Sequence, residues 1–425
     1  MKRFILLSFM VLAAILSRGQ GLEECRRLAQ EHYPEIRQYN LISETEQYNI
    51  SNAARAWIPQ VILSGQATYQ SATPSYPEAF NAIIAANGLE MNGIHKDQYK
   101  IAVDVSQNIW DGGQSKANKA IAHAEAAEQR SITKVTLYDL NQRIDNLYFG
   151  ILLLDERVAQ AEALIEVLES NLNRMQTYYK NGVAMRSDAD AIEAELLSAR
   201  QTQHQVEASR ASYRRMLELF IGKPLTDKKL KRPAMTSILN NESARPELEM
   251  FDAQSNKLAA QKKAIQASVM PRFSAFAQSY YGYPGLDMFK SMVAPDWTIN
   301  AVVGIRMSWN IGSLYTKNNN LKKLDAAERQ LEIKRDVFLF NTGLQTTQDD
   351  GEIARLRKAL EDDDRIVELR RSIRMAAESK LENGIIDATD LLRKITDETT
   401  AKLNRSTHEI ELLHATYRLK TTLNQ

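Results

Sequence analysis

Trp297-Thr298-Ile299-Asn300-Ala301-Val302-Val303-Gly304-Ile305-Arg306-Met307-Ser308-Trp309 is the stretch that decides how this chain folds. Trp297, Ile299, Ala301, Val303, Ile305, Met307 and Trp309 take alternate positions against Thr298, Asn300, Val302, Gly304, Arg306 and Ser308. A period of two over about ten residues marks a strand with one apolar and one polar face. That length also suits a tilted crossing of an outer membrane. Two more stretches alternate in the same way. Val61, Leu63, Gly65, Ala67 and Tyr69 stand against Ile62, Ser64, Gln66, Thr68 and Gln70. Tyr99, Ile101, Val103, Val105, Gln107 and Ile109 stand against Lys100, Ala102, Asp104, Ser106 and Asn108. A less regular run covers Phe273 to Tyr283, which makes four predicted strands. Residues 73–97 and 284–296 hold Pro74, Pro77, Gly88, Gly93, Pro284, Gly285 and Pro295, so they read as loops. Trp57, Trp110, Trp297 and Trp309 all fall at or beside strand ends, where indole rings favour a water–lipid boundary.

Outward from the strands the chain is helical. From Gln114 to Lys180 there is no proline and a single glycine, Gly150, and Leu314 to Glu382 is similar. At 1.5 Å per residue each would be about 100 Å long. Leu164, Leu168, Leu172, Met175 and Tyr179 recur at helical packing steps, as do Leu356, Leu360, Val367 and Ile373. Shorter helices are expected over 22–56, 187–220, 244–268 and 387–423. Three landmarks repeat in order. Ala56-Trp57-Ile58-Pro59 is matched by Val269-Met270-Pro271, Trp110-Asp111-Gly112-Gly113 by Trp309-Asn310-Ile311-Gly312, and Asn181-Gly182-Val183 by Asn383-Gly384-Ile385. Offsets of about 200 residues suit a duplicated half: a first repeat over 20–220, a linker over 221–245 and a second repeat over 246–425.

Composition narrows the function. The 54 basic and 53 acidic side chains give a net charge of +1, without the basic surplus a nucleic-acid binder needs. A mean hydropathy of −0.40 argues against a helical membrane protein. Lys2 and Arg3 precede an apolar run, Phe4–Leu16, and then Ser17-Arg18-Gly19, so residues 1–19 read as a signal peptide. Cys25 is the only cysteine and forms no internal disulfide.

Four amphipathic strands cannot close a barrel, since outer-membrane barrels have at least about eight. Left open, the sheet would expose unpaired edges to lipid, so the chain must oligomerise through them. On these junctions, turns and spacings the sequence resembles the TolC-like outer-membrane efflux protein family, over essentially the whole mature chain. The resemblance implies a mainly α fold with membrane β: a homotrimer whose 12-stranded β-barrel, four strands per chain, continues into a long α-helical periplasmic tunnel. It also implies the channel component of a tripartite efflux or type I secretion system in the outer membrane of a Gram-negative bacterium. Its partners would be outer-membrane lipid, a periplasmic membrane-fusion adaptor and an inner-membrane pump of RND or ABC type. Neither enzyme activity, cofactor nor nucleic acid is expected.

In that family the helix-tip turns meet the adaptor, which implicates Asn181, Gly182, Val183, Asn383, Gly384 and Ile385. Asp188 and Asp390 each lie six residues beyond a tip glycine and, with Asp387, are candidates for the periplasmic gate. Arg393 stands where some relatives carry a further acid, so an Arg393–acid latch is the alternative to a double acidic ring. Ser187 with Asp190, and Asp387 with Asp390, have the spacing of helix caps, a local use of the same residues. The six histidines show no metal-ligand spacing. Asp349-Asp350-Gly351 and Glu361-Asp362-Asp363-Asp364 lack the ligand pattern of a calcium loop. The competing reading is a periplasmic coiled-coil or adaptor-like protein without a barrel, which leaves the alternating strands unexplained.

Overall fold

The computed structural model describes residues 21–88, 93–225, 229–235 and 243–424. The expected signal peptide, 1–19, lies outside the described residues, as does part of the linker. Proline and glycine set most boundaries. Helix α1 (Leu22–His32) ends before Pro34, where a short 3-10 turn, Pro34–Arg37, leads into α2 (Gln38–Arg55). The single helix expected over 22–56 is therefore broken, because proline supplies no N–H to continue the ladder. Strand β1 (Gln60–Tyr69), α3 (Glu78–Ala86) and β2 (Asp97–Trp110) follow, then the long α4 (Gln114–Lys180) and α5 (Arg186–Ile221). After the linker come α6 (Pro246–Ser268), β3 (Arg272–Tyr283), α7 (Met288–Val293) and β4 (Thr298–Ser308). A second long helix, α8 (Ser313–Glu382), and α9 (Ala388–Leu423) complete the chain. Short helices α3 and α7 lie within segments read from sequence as loops.

The chain divides into two compact units. One comprises Met1–Tyr39, Ser131–Met250 and Ile333–Gln425, the other Asn40–Arg130 and Phe251–Glu332. The first is a helical body. Its largest apolar cluster joins Leu22, Cys25 and Leu28 of α1 to Ile144, Tyr148, Phe149 and Ile151 of α4, Leu217 and Ile221 of α5, and Ile410 and Tyr417 of α9. A second cluster runs between α4 and α5 through Leu168, Met175, Ile192 and Leu196. A third joins α8 and α9 through Ile353, Leu356, Leu412 and Leu419. These steps of three, four and seven residues keep one stripe of each helix turned to its neighbour. Within the first cluster Asp145, 1% exposed, accepts from Arg26 Nε at 2.7 Å and Nη2 at 2.6 Å. Burial pushes this carboxyl upward while the guanidinium pulls it back. Arg418 similarly meets buried Asp349 at 2.7 Å.

The second unit holds one four-stranded antiparallel sheet in the order β1-β2-β3-β4. Asp111 is buried at the start of α4, its carboxylate accepting from the N–H of Gly113 at 2.9 Å and of Ser115 at 2.7 Å. That satisfies two N-terminal donors of the helix that leaves the sheet. Gly112 between them has φ +69°, and a Cβ there would lie 2.5 Å from Met270 Cβ. Both the backbone conformation and the close approach of the β3 entry require glycine.

In the helical body His414 stacks on Phe149 at 4.9 Å between centroids. Burial lowers its pKa to about 4, with Arg418 acting in the same direction and Asp349 opposing. A histidine depressed by folding binds a proton on unfolding. Its contribution to stability is therefore complete above 6.5 and is lost as pH falls from there toward 4. The loss should reach no more than about 3 kcal/mol. Chemical denaturation across this range should show a flatter pH dependence in His414→Gln, and an unchanged slope would refute the assignment.

Candidate functional site: the amphipathic sheet and the tip turns

Register places the alternating residues on two faces. Val61, Val105, Ala277 and Val303 share one rung, Leu63, Val103, Ser279 and Ala301 the next, and Gly65, Ile101, Tyr281 and Ile299 the one after. This apolar face is the more exposed of the two: Val303 is 78% exposed, Ile299 80% and Leu63 73%. On the opposite face Ala102 and Tyr280 are buried and most residues of β2 and β3 are partly covered. Water-soluble sheets turn their apolar side to the core. Here the exposed side is the apolar one, as a sheet facing lipid requires.

The tryptophans bracket that face. Trp57, Trp110 and Trp309 lie at the end where strands meet helices, and Trp297 lies at the loop end, each between 41% and 47% exposed. Trp309 Nε1 donates to Val269 O at 3.0 Å. Trp297 packs on Tyr99 and Tyr281 with centroids 6.0 and 5.2 Å away. The strand alternation does not run unbroken to Trp110: a bulge between Asn108 and Trp110 shifts the register, so that Trp110 opposes Phe273. The extra residue turns Trp110 onto the apolar face, a switch that a strict period of two hides. Trp297 and Trp309 are separated by twelve steps along the chain. At about 3.3 Å per residue and a tilt of about 40°, that distance spans about 30 Å, the thickness of a bilayer's hydrocarbon core.

The tip turns sit in the helical unit. Val183 N–H donates to Tyr178 O at 2.9 Å and Gly182 N–H to Tyr179 O at 3.0 Å. Ile385 repeats the first bond to Lys380 O at 2.9 Å and Gly384 the second to Leu381 O at 3.0 Å. With φ of +72° at Gly182 and +68° at Gly384, both are Schellman caps. The residues after the glycines stay uncovered, Val183 at 76% and Ile385 at 69% exposure, and Asn181 and Asn383 are exposed beside them. The next helices start at once. Asp188 accepts from Met185 N–H at 3.0 Å, so α5 begins at Arg186 and the cap lies ahead of the Ser187–Asp190 pair that spacing suggests. Asp190 instead lies 3.6 Å from Arg186. Asp387 caps α9 as expected, accepting from Asp390 N–H at 2.8 Å. Asp390 and Arg393 are exposed, and among the described residues neither makes an ion pair within the chain.

Two arrangements escape sequence reasoning because their partners are far apart in the chain. Arg174 at the end of α4 meets Glu382 at the end of α8 at 3.1 Å. On the polar sheet face Lys100 Nζ donates to Gln278 Oε1 at 3.2 Å, and Gln278 Nε2 donates in turn to Asp104. Among the described residues no group of His, Cys, Asp or Glu could hold a metal ion. No described helix is long and apolar enough to cross a membrane.

The model of the outer membrane efflux protein family matches residues 26–223. Over that segment, a little under half of its length, the chain is similar to this family. No curated protein matches the sequence. Among solved structures, the outer-membrane channel OprN is similar at 15% identity and a TM-score of 0.70, covering 95% of this chain and 89% of that one. VceC, the outer membrane protein of Vibrio cholerae, is similar at 15% identity and a TM-score of 0.67, with 95% and 94% covered. The open state of the Neisseria gonorrhoeae outer membrane channel MtrE matches at 13% identity and a TM-score of 0.65, with 95% and 88% covered. At these identities the likeness carries the fold, over nearly the full length of the chain.

Two substitutions on neighbouring residues separate the faces of this sheet. Val303→Arg puts a guanidinium on the apolar face, at a cost of about 2–4 kcal/mol near a bilayer midplane. Val302→Arg places the same charge on the polar face. The first should sharply lower the yield of folded, membrane-inserted protein and the second should leave it near wild type; equal yields would contradict the lipid-facing assignment.

Proposed function

We propose that this chain is the outer-membrane channel of an export assembly, a passive duct that performs no chemistry. The observation that carries this reading is a sheet with an outward apolar face and two open edges. β1 and β4 each pair on one side only within the chain. An unpaired N–H or C=O costs several kcal/mol in lipid, so an edge of about five such groups of each kind is untenable there. The strands alternate in direction, so β4 of one copy and β1 of the next meet antiparallel and a ring of copies closes without a mismatched seam. Three copies make twelve strands, enough to leave a lumen, whereas eight would fill with side chains. The same order of elements over 20–220 and 246–425 supports a duplicated repeat joined by 221–245.

The detergent-corrected mass of the mature protein purified from outer membranes tests this directly. A mass of three chains is expected. A monomer soluble without detergent would overturn the duct and favour a periplasmic coiled-coil protein.

Export through such a duct requires energy from elsewhere, which is the role of an inner-membrane transporter of RND or ABC type joined through a periplasmic adaptor, in an efflux or type I secretion assembly. Val183 and Ile385 support a docking role for the tips, since their apolar side chains are left largely exposed at those turns. Asp188, Asp390 and Arg393 are placed close behind those turns in sequence and remain the candidates for the gate. Val183→Asp with Ile385→Asp should leave the trimer intact and weaken adaptor capture at least tenfold in a pull-down from membranes. Undiminished capture would remove the tips from the interface.

A further inference from the structure

The polar face of the sheet is not electrically even. Its rungs run Gln66–Lys100–Gly282–Thr298 near the loop end, then Ser64–Ala102–Tyr280–Asn300, Ile62–Asp104–Gln278–Val302 and Gln60–Ser106–Phe276–Gly304. Toward the helices follow Asn108–Ser274–Arg306 and Arg272–Ser308. Lys100 and Asp104 share Gln278 as a common partner, so their opposite charges offset one another. Arg272 and Arg306 have no such compensation. They are diagonal neighbours on adjacent strands, both exposed, and among the described residues neither makes a salt bridge with a carboxylate. Asp104 belongs to the rung of Val302, four residues from Arg306 on β4 and so about 13 Å away along the strand alone.

Arg306 is also held in place. Its guanidinium carbon lies 4.5 Å from the centroid of the Phe276 ring, within cation–π range. The ring lies across Gly304, where an added Cβ would come within 3.0 Å of it. Glycine on β4 thus gives the ring room, and the ring seats the cation on the polar face.

We propose that Arg272 and Arg306 form a cationic station inside the sheet, at its helix-proximal end, which makes the duct favour anionic solutes over cationic ones. The proposal rests on the trimeric duct reading, in which each copy contributes its pair to one level of the lumen. Low-dielectric walls focus the field of fixed charges into such a passage and raise the local concentration of the opposite sign. Guanidinium forks match carboxylate and phosphate groups, so solutes bearing those groups are the chemical class it would favour.

The test uses a reporter thiol beside the station. Ser274→Cys lies directly opposite Arg306 in the register. The native Cys25 is fully buried and burial pushes its thiol up to about 12, so it stays silent. Full-length mature protein carrying Ser274→Cys is purified as its oligomer and modified with an anionic or a cationic methanethiosulfonate of similar size. The anionic reagent should react faster, and the rate ratio should fall at least threefold in an Arg272→Gln, Arg306→Gln background. Arg306→Lys, which keeps the charge, should retain most of the ratio. A ratio that is the same in both backgrounds, with the oligomer intact, would overturn the station and leave the duct standing. A protein of one-chain mass would overturn the duct itself, and the station with it. The readout requires no open tip.

Discussion

Every backbone N–H and C=O that enters lipid must find a partner within protein, because no water is there to supply one. That requirement governs the rest of this structure. A four-stranded meander satisfies its inner strands and leaves β1 and β4 half-paired. A soluble protein would hide such a sheet or blunt its edges with charge and proline. At β1 this chain does neither: the strand contains no charged residue and no proline, and neither edge of the sheet is covered by a further strand among the described residues. The exposed apolar face and the open edges are two aspects of a single demand, for lipid on one side and further strands at both ends.

Much of this was legible in the residues. Alternation in β1, β2 and β4 located the strands and their faces, because a period of two maps directly onto a pleated surface. The absence of proline from 114 to 180 and the matching stretch near the C-terminus located the long helices. What escaped depends on contacts across distance or on single-residue irregularities. Pro34 breaks a helix that apolar spacing alone would carry through. The bulge before Trp110 re-aims a tryptophan, and only the partner strand reveals it. α5 starts at Arg186 with Asp188 reaching back to the Met185 N–H, so Ser187 lies inside the helix and cannot cap it.

The candidate site was less visible than the fold. The tip glycines could be read because a left-handed cap strongly favours glycine. The pairs Arg26–Asp145, Arg174–Glu382 and Phe276–Arg306 join residues whose partners are set by packing and register. The two junctions from strand to helix also differ in a way their similar sequences conceal. Gly112 and Gly113 both take positive φ, and Gly112 also needs a bare Cα against Met270, whereas their counterparts Ile311 and Gly312 take no positive φ. One motif, used twice, is under backbone constraint in one place alone.

The helical unit raises the same demand as the sheet by a different physical route. On α8, Ile333, Val337, Phe340 and Leu344 are spaced by four, three and four residues, and all are more than half exposed. That spacing puts them on one helix face. Such a stripe costs nothing in lipid but is unfavourable in water, where each large apolar side chain left uncovered forgoes about 1.5–3 kcal/mol. The edges of the sheet are unfavourable in lipid and tolerable in water. One surface of the chain is thus incomplete in each solvent, and each calls for a different kind of contact. Further copies of the chain, arranged as a ring, can offer strand edges to one and helix faces to the other. A lone partner for either surface would leave the other exposed, so the proposed ring would have to close its membrane and aqueous parts with the same number of copies.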